Sequence, residues 1–201
     1  MLAGVATRWM GALFAVGATC FLVGPLPGFA ELVGLRADGR VFFVGSLFFT
    51  AAATVQWATT SPRHDRGAWW SASWQLVGTL FFNRSTWDAL QSAVGSPGYD
   101  QVVWRPDALG SVCFLVSGTL AWAAAGGSWR RRPPRTADGR IAAVNLAGCV
   151  AFGLSALTAY VVPSSAHEID AAVAALTTCL GALAFLVGAL LLLRPRQASW
   201  R

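Results

Sequence analysis

The chain has 201 residues, of which 55% are apolar and only 12% are charged, whereas charged residues make up about 25% of a typical soluble domain. Its formal net charge is +6, and all fifteen basic residues are Arg, scattered between apolar segments rather than interleaved with aromatic residues on one surface. This composition excludes an ordinary soluble domain, speaks against a nucleic-acid partner, and makes the lipid bilayer the expected surrounding.

Six segments without Asp, Glu, Arg or His are each long enough, or nearly so, to cross a bilayer: 9–29, 41–60, 68–83, 108–129, 141–162 and 171–193. A hydrocarbon core of about 30 Å needs about 20 apolar residues in a helix. The pattern predicts an all-α, polytopic transmembrane bundle of six helices that forms a single domain over residues 1–201. The third segment is short and carries several polar residues, so a re-entrant or tilted segment is an alternative there.

The distribution of Arg predicts the orientation, because cytoplasmic loops retain Arg. With the N-terminus in the cytoplasm, eleven of the fifteen Arg fall on the cytoplasmic side and four fall outside. Both termini are therefore expected in the cytoplasm, and the protein in the inner membrane of a bacterium. One alternative concerns the first segment, since Arg8 precedes an apolar run that ends in Gly28-Phe29-Ala30, a pattern also typical of a cleaved secretory signal.

Short matches along the chain raise the question of an internal repeat. Residues 17–23 resemble residues 110–116, and Ala-Asp-Gly-Arg occurs at both 37–40 and 137–140. Two halves of three helices would be inverted repeats, an arrangement found in many transporters. Chance similarity in a chain so rich in small and apolar residues is the alternative.

The connection over residues 84–107 is predicted to lie outside and to contain a short amphipathic helix. Ser85 and Asp88 resemble a capping box, and Trp87, Leu90 and Val94 follow at helical spacing.

Chemical motifs are scarce. His167, Glu168 and Asp170 are the only acid–base cluster, and Ser165 with Glu168 is better interpreted as a capping box at the start of the last helix. The four Cys fit small buried apolar residues. No catalytic motif is present, so no catalytic residue, metal site or cofactor is predicted. Arg130, Arg131, Arg132 and Arg135 form a basic cluster that anchors topology and suits contact with anionic lipid.

A polar stripe in the third segment gives the best candidates for a binding site. Ser71, Gln75, Thr79 and Asn83 recur every four residues, which places them along one side of a helix. Such a stripe could line a cavity for a small solute, together with Asn145 of the fifth segment, or could form hydrogen bonds between helices. Packing is the preferred interpretation at this point.

Residues 41–49 (Val-Phe-Phe-Val-Gly-Ser-Leu-Phe-Phe) resemble the apolar Gly-Ser core of the YrhK-like family of small bacterial membrane proteins, and residues 75–83 and 109–114 echo the same pattern. The resemblance covers mainly residues 41–115 and implies a membrane location. It implies no activity or site residue, and this chain is longer than the short family members.

The sequence therefore favours a non-enzymatic integral membrane protein that acts through helix packing or assembly with a partner, either a second copy or another membrane protein. The alternative is a transporter or channel for a small neutral or weakly charged substrate.

Overall fold

The computed structural model describes residues 2–126 and 136–194, and these residues are mostly helical. The Arg cluster at 130–135 and Trp129, the predicted end of the fourth span, lie outside the described residues. Seven α-helices occur in the described part: α1 Leu2–Val23, α2 Phe29–Val33, α3 Leu35–Thr59, α4 Arg66–Ala89, α5 Arg105–Ala124, α6 Ala137–Thr158 and α7 Ala171–Leu193. A π-helical turn, Asp100–Trp104, leads into α5, and two short strands, β1 Val161–Val162 and β2 His167–Glu168, pair antiparallel between α6 and α7.

Five helical segments are long and apolar enough to cross a bilayer: Gly4–Val23, Leu35–Thr59, Asp100–Ala124, Ala137–Thr158 and Ala171–Leu193. The chain is thus a multi-pass membrane protein. The sixth long helix, α4, has 24 residues and lies between α3 and α5. It falls outside that apolar set, and it carries the predicted polar stripe.

Helix boundaries differ from the predicted spans wherever a local signal outweighs hydropathy. The span 171–193 coincides with α7, but the first helix lies at Leu2–Val23 rather than 9–29. Pro25 and Pro27 follow at once, and proline cannot continue a helix because it lacks the N–H and clashes with the preceding turn. The fifth predicted span, 141–162, ends too late, since α6 stops at Thr158.

The prediction of a separate amphipathic helix that begins at Ser85 is wrong. Helix α4 continues without interruption to Ala89, and Ser85 is a buried residue within it whose hydroxyl donates to the Val103 carbonyl at 2.9 Å. Because the hydroxyl is engaged with the segment before α5, it does not cap a new helix.

The predicted capping box of Ser165 and Glu168 is also wrong. Helix α7 begins at Ala171, and its N-cap is Asp170, whose carboxylate accepts a hydrogen bond from the Val173 N–H at 3.0 Å. Glu168 instead pairs with Val161 across the two short strands. Aspartate is among the preferred N-cap residues, because its short side chain reaches an unpaired N–H of the first turn.

The six long helices form a closed ring. Each of α1, α3, α4, α5, α6 and α7 packs against the next in this order, and α7 packs against α1. Neighbours are antiparallel: Gly17 of α1 lies beside Gly45 of α3, while Gly24 lies beside Phe42. The end of the ring that holds the start of α1 also holds the end of α7, because Gly11 contacts Leu193.

A Gly-x-x-x-Phe segment occurs in every one of these six helices and forms the centre of the ring. We call this set the Gly–Phe layer; it consists of Gly17 and Phe21, Gly45 and Phe49, Gly78 and Phe82, Gly110 and Phe114, Gly148 and Phe152, and Gly181 and Phe185. The six Phe are all buried. Their rings follow one another in a closed cycle with centroids 5.0–6.1 Å apart.

The glycines make room for these rings. An added Cβ would lie 2.6 Å from the Phe114 ring at Gly78 and 2.6 Å from the Phe152 ring at Gly181. In three of the six neighbouring pairs, the Phe of each helix covers the Gly of the other. These pairs are α1 with α3, α4 with α5, and α6 with α7. Each such pair is one hairpin, so the ring consists of three hairpins.

This arrangement contradicts two inverted halves of three helices. Inverted repeats are related by a two-fold axis in the membrane plane, and such an axis reverses the direction of travel around a ring. The triplets α1-α3-α4 and α5-α6-α7 both run around the ring in the same direction. The repeated unit is therefore the hairpin, and the short matches at residues 17–23 and 110–116 reflect the Gly-x-x-x-Phe segment.

Candidate functional site: an amide-lined cavity

A cavity of about 550 Å³ lies inside the ring, at the end that holds the start of α1 and the end of α7. All six long helices contribute to its wall. It extends from Phe14, Phe114 and Phe185 next to the Gly–Phe layer to Asp65 and Asp138 at the helix ends. We call it the amide cavity, because carboxamide side chains are its principal free polar groups.

The predicted polar stripe of α4 divides into two parts with different surroundings. Ser71 and Gln75 line the amide cavity, as does Asn145 of α6. Thr79 is fully buried and donates to the Leu76 carbonyl at 2.7 Å. The carboxamide of Asn83 forms a hydrogen bond of 2.9 Å with the Thr50 hydroxyl of α3. A step of four residues turns about 40° around a helix, so a stripe at this spacing passes from the interior of the ring to the interface with α3.

Three carboxamides line the cavity, one from each hairpin. They belong to Gln56 of α3, Gln75 of α4 and Asn145 of α6. Within the described residues, none of the three side chains has a hydrogen-bond partner in the protein. A carboxamide offers two donors and an acceptor oxygen, so these groups are available to a polar molecule in the cavity.

The serine hydroxyls of the cavity wall are engaged. Ser71 donates to the Ser117 carbonyl at 3.0 Å, and Ser117 donates to the Ser71 carbonyl at 2.8 Å. This reciprocal pair joins α4 to α5 through their backbones. Because the protons of both hydroxyls are used, Ser71 is mainly a packing residue even though it lines the cavity.

Gln75 and Asn145 occupy the same place in the repeat, three residues before the glycine of their helix. The equivalent residue of α1 is Phe14, which also lines the amide cavity. Asn145 fits closely against Gly188 of α7, where an added Cβ would collide with the side-chain oxygen. The glycine therefore gives the carboxamide room inside the ring.

The rim of the amide cavity is acidic in the described part of the chain. Asp65 and Asp138 line it, and none of the Arg residues that the structure describes does, although Arg63, Arg66 and Arg140 are close in sequence. Asp65 is the N-cap of α4 and accepts from the Ala68 N–H at 2.9 Å. The cavity thus presents neutral amides in its interior, with Asp65 and Asp138 at its edge.

A second cavity of about 180 Å³ lies on the opposite side of the Gly–Phe layer. Its wall includes Phe42, Asp107 and Thr178, which are the residues three before the glycines of α3, α5 and α7. We call it the carboxylate cavity. Both cavities are therefore lined by the residue three before the glycine. The amide cavity takes this residue from α1, α4 and α6, and the carboxylate cavity takes it from α3, α5 and α7, which run in the opposite direction.

The acidic residues beside α7 show no metal site. Among the described residues, no group of three or more His, Cys, Asp or Glu could hold a metal ion. Burial raises the pKa of Glu168, and burial together with the neighbouring carboxylates Glu168, Asp107 and Asp100 raises the pKa of Tyr99 to about 12. The four Cys are free thiols, of which Cys113 and Cys149 are buried.

No protein-family model, no curated protein and no solved structure matches this chain.

Sequence reasoning did not single out Gln56, Asp107 or Thr178 as lining residues. The repeat contained a signal for two of them, since Asp107 and Thr178 stand three residues before a Gly-x-x-x-Phe segment, as Gln75 and Asn145 do. Gln56 has no such signal, because it lines the cavity from the end of α3.

Proposed function

We propose that this chain is a transporter or channel of the bacterial inner membrane, with six crossings and both termini in the cytoplasm, that accepts a small neutral or weakly charged polar solute. The observation that carries the proposal is the amide cavity, whose wall contains three unpaired carboxamides, one from each hairpin. Neutral groups that both donate and accept suit a polar solute without net charge. The resemblance to YrhK-like proteins remains a hypothesis within this proposal.

The sixth crossing in the proposal is α4. Its 24 residues correspond to a length of about 36 Å, which suffices for a hydrocarbon core of about 30 Å. Its neighbours α3 and α5 are both candidate spans. Its polar side chains face the ring or its neighbours: Ser71 and Thr79 are buried, and Asn83 bonds to Thr50.

Action through packing or assembly alone, without a solute and without catalysis, is the second candidate. Hydrogen bonds between helices support it, such as those of Asn83 with Thr50 and of Ser71 with Ser117. The ring closes within one chain through α1 and α7, so a second copy is not needed to enclose the cavity. Packing also leaves the free carboxamides of Gln56, Gln75 and Asn145 without a role, and we therefore prefer solute binding.

Cysteine accessibility tests this proposal in a background that lacks the four native Cys. Single Cys at positions 56, 75 and 145 should react with a membrane-impermeant thiol reagent in inside-out vesicles, and should stay unlabelled in right-side-out vesicles. Cys at positions 79 and 83, on the same stripe but packed between helices, are the matched controls and should stay unlabelled from both sides. If Cys at positions 75 and 145 is not labelled from either side, or if Cys at positions 79 and 83 is labelled equally, the proposal is contradicted.

Solute movement is tested separately in proteoliposomes by stopped-flow light scattering, with glycerol and urea as neutral probes. The parent chain should speed the swelling of the vesicles relative to empty ones. Gln75→Leu and Asn145→Leu should reduce the rate, because each removes an unpaired carboxamide from the cavity. Asn83→Leu serves as the control outside the cavity, and a parent chain that moves neither probe argues for packing alone.

A further inference from the structure

The carboxylate cavity differs from the amide cavity in the kind of polar group it offers. Five polar residues line it: Asp107 of α5, Ser85 and Thr86 of α4, Ser155 of α6 and Thr178 of α7. Every one of these side chains presents oxygen. In the described part of the chain its wall holds no Arg, His, Asn or Gln.

The hydroxyl protons of Ser85, Thr86 and Ser155 are already used in hydrogen bonds within the protein. Ser85 donates to the Val103 carbonyl at 2.9 Å, and Thr86 donates to the Phe82 carbonyl at 2.7 Å. Ser155 donates to the Ala174 carbonyl at 3.0 Å. Ser155 and Thr178 share a hydrogen bond of 2.6 Å, in which either hydroxyl can be the donor.

The oxygens of these four hydroxyls can accept further hydrogen bonds or ligate a cation through their lone pairs. An ionised carboxylate is an acceptor only. The polar groups that line the cavity thus offer oxygen lone pairs, and among the described residues none of them carries a positive charge.

Asp107 has no salt bridge and no hydrogen bond within the described residues. Arg84 of α4 is paired with Asp88 of its own helix. Helix capping does not explain the carboxylate either, because α5 continues from the π-helical turn and the Arg105 N–H is bonded to the Asp100 carbonyl. In contrast, the capping residues Asp65 and Asp170 each accept an N–H of a first turn.

We infer that the carboxylate cavity is a binding site for a small monovalent cation, with Asp107 as its counter-charge and the oxygens of Thr178 and Ser85 as neutral ligands. Oxygen ligands are those that hard cations prefer, and one carboxylate balances a single positive charge. A water molecule occupies about 30 Å³ in the liquid, so a cavity of about 180 Å³ has room for a partly hydrated ion or a small ammonium group. The inference does not depend on solute movement through the ring.

Thermal unfolding of the purified full-length chain in lipid nanodiscs tests the site. Unfolding temperatures are measured against increasing NaCl, KCl or methylammonium chloride, with N-methylglucamine chloride keeping the ionic strength constant. A cation that binds only the folded state raises the unfolding temperature and saturates. We expect this from at least one small cation, and the alkali salts and methylammonium distinguish a metal ion from an organic ammonium group.

Asp107→Asn should raise the half-saturating concentration of that cation by about tenfold or more, as expected when a buried charge partner is removed. Thr178→Val, which keeps the shape and removes one oxygen, should raise this concentration less. It guards against a folding defect in the first variant. Asp170→Asn is the matched control, because it removes the same charge at the same end of the ring and asparagine still caps a helix. No saturable effect of any small cation, or an effect that Asp107→Asn leaves unchanged, overturns the inference.

Discussion

The Gly–Phe layer and the walls of the two cavities belong to the same six helices, yet the residues are constant in the layer and vary in the cavity walls. In the layer, each helix repeats one pair of residues, all six rings are buried, and each ring covers a glycine of its hairpin partner. In the cavity walls, the residue three before the glycine varies from Phe14 to Gln75 and Asn145, and from Phe42 to Asp107 and Thr178. The comparison predicts that the constant part of the repeat determines stability, and that any recognition of a solute or ion depends on the variable part.

The largest effect is expected from a change within the layer. Phe152→Ala removes a ring that contacts Phe21, Phe82 and Phe185, and truncation of a buried Phe costs about 3–5 kcal/mol. Chemical unfolding in detergent measures the loss. Leu157→Ala is the control, since Leu157 is on the same helix but is 65% exposed, and an equal loss in both variants would refute a special role of the layer.

The next effect concerns the glycines. Gly181→Ala places a Cβ 2.6 Å from the Phe152 ring and 3.1 Å from the Gly148 carbonyl oxygen, and such overpacking costs about 1–3 kcal/mol. Gly4→Ala is the matched control because nothing lies within 4 Å of its Cβ position. If Gly181→Ala unfolds at the same denaturant concentration as Gly4→Ala, the layer is less tightly packed than described.

A smaller effect separates packing amides from cavity amides. Asn83→Leu removes the hydrogen bond to Thr50 and should cost about 0.6–1.5 kcal/mol. Gln75→Leu removes an unpaired carboxamide and should change the free energy of unfolding by less than about 0.5 kcal/mol. The same unfolding assay compares the two, and a larger loss for Gln75→Leu would mean that its carboxamide stabilises the fold.

The smallest effect concerns pH at the end of the carboxylate cavity. Burial raises the pKa of Glu168 above its ordinary value of 4.5, so the folded state binds this proton more tightly than the unfolded state. Stability from this group is then present at low pH and is lost as pH rises from 4.5 through the raised value. Glu168→Gln should flatten this part of the pH–stability profile, whereas Glu31→Gln, at an exposed position, controls for net charge; an unchanged profile in Glu168→Gln contradicts the expectation.

Hydropathy predicted the helical class, the multi-pass character and the bounds of α7, because these depend on composition and on local signals. It underestimated α4, whose polar residues such as Ser71 and Asn83 are satisfied by α5 and α3, and such partners are invisible in a single helix. The ring order also required the structure, since the exchange of Gly and Phe within hairpins arises only when two helices meet.

The cavity could be predicted only in part. Periodicity singled out Gln75, and the structure shows that it lines the same cavity as Asn145 and Gln56. Periodicity grouped Thr79 and Asn83 with it, although the stripe rotates away from the interior over two further steps. Whether these side chains bind a solute stays a prediction that the labelling experiment addresses.

Because α1 and α7 are neighbours, the end of α7 and the start of α1 could be joined by a connection like those between the hairpins. A circular permutant that begins with α4 and joins the end of α7 to the start of α1 through a flexible linker retains every helix neighbour of the ring. In such a permutant each hairpin still supplies one residue of the variable position to each cavity: Phe14 and Phe42 from the first, Gln75 and Asp107 from the second, and Asn145 and Thr178 from the third.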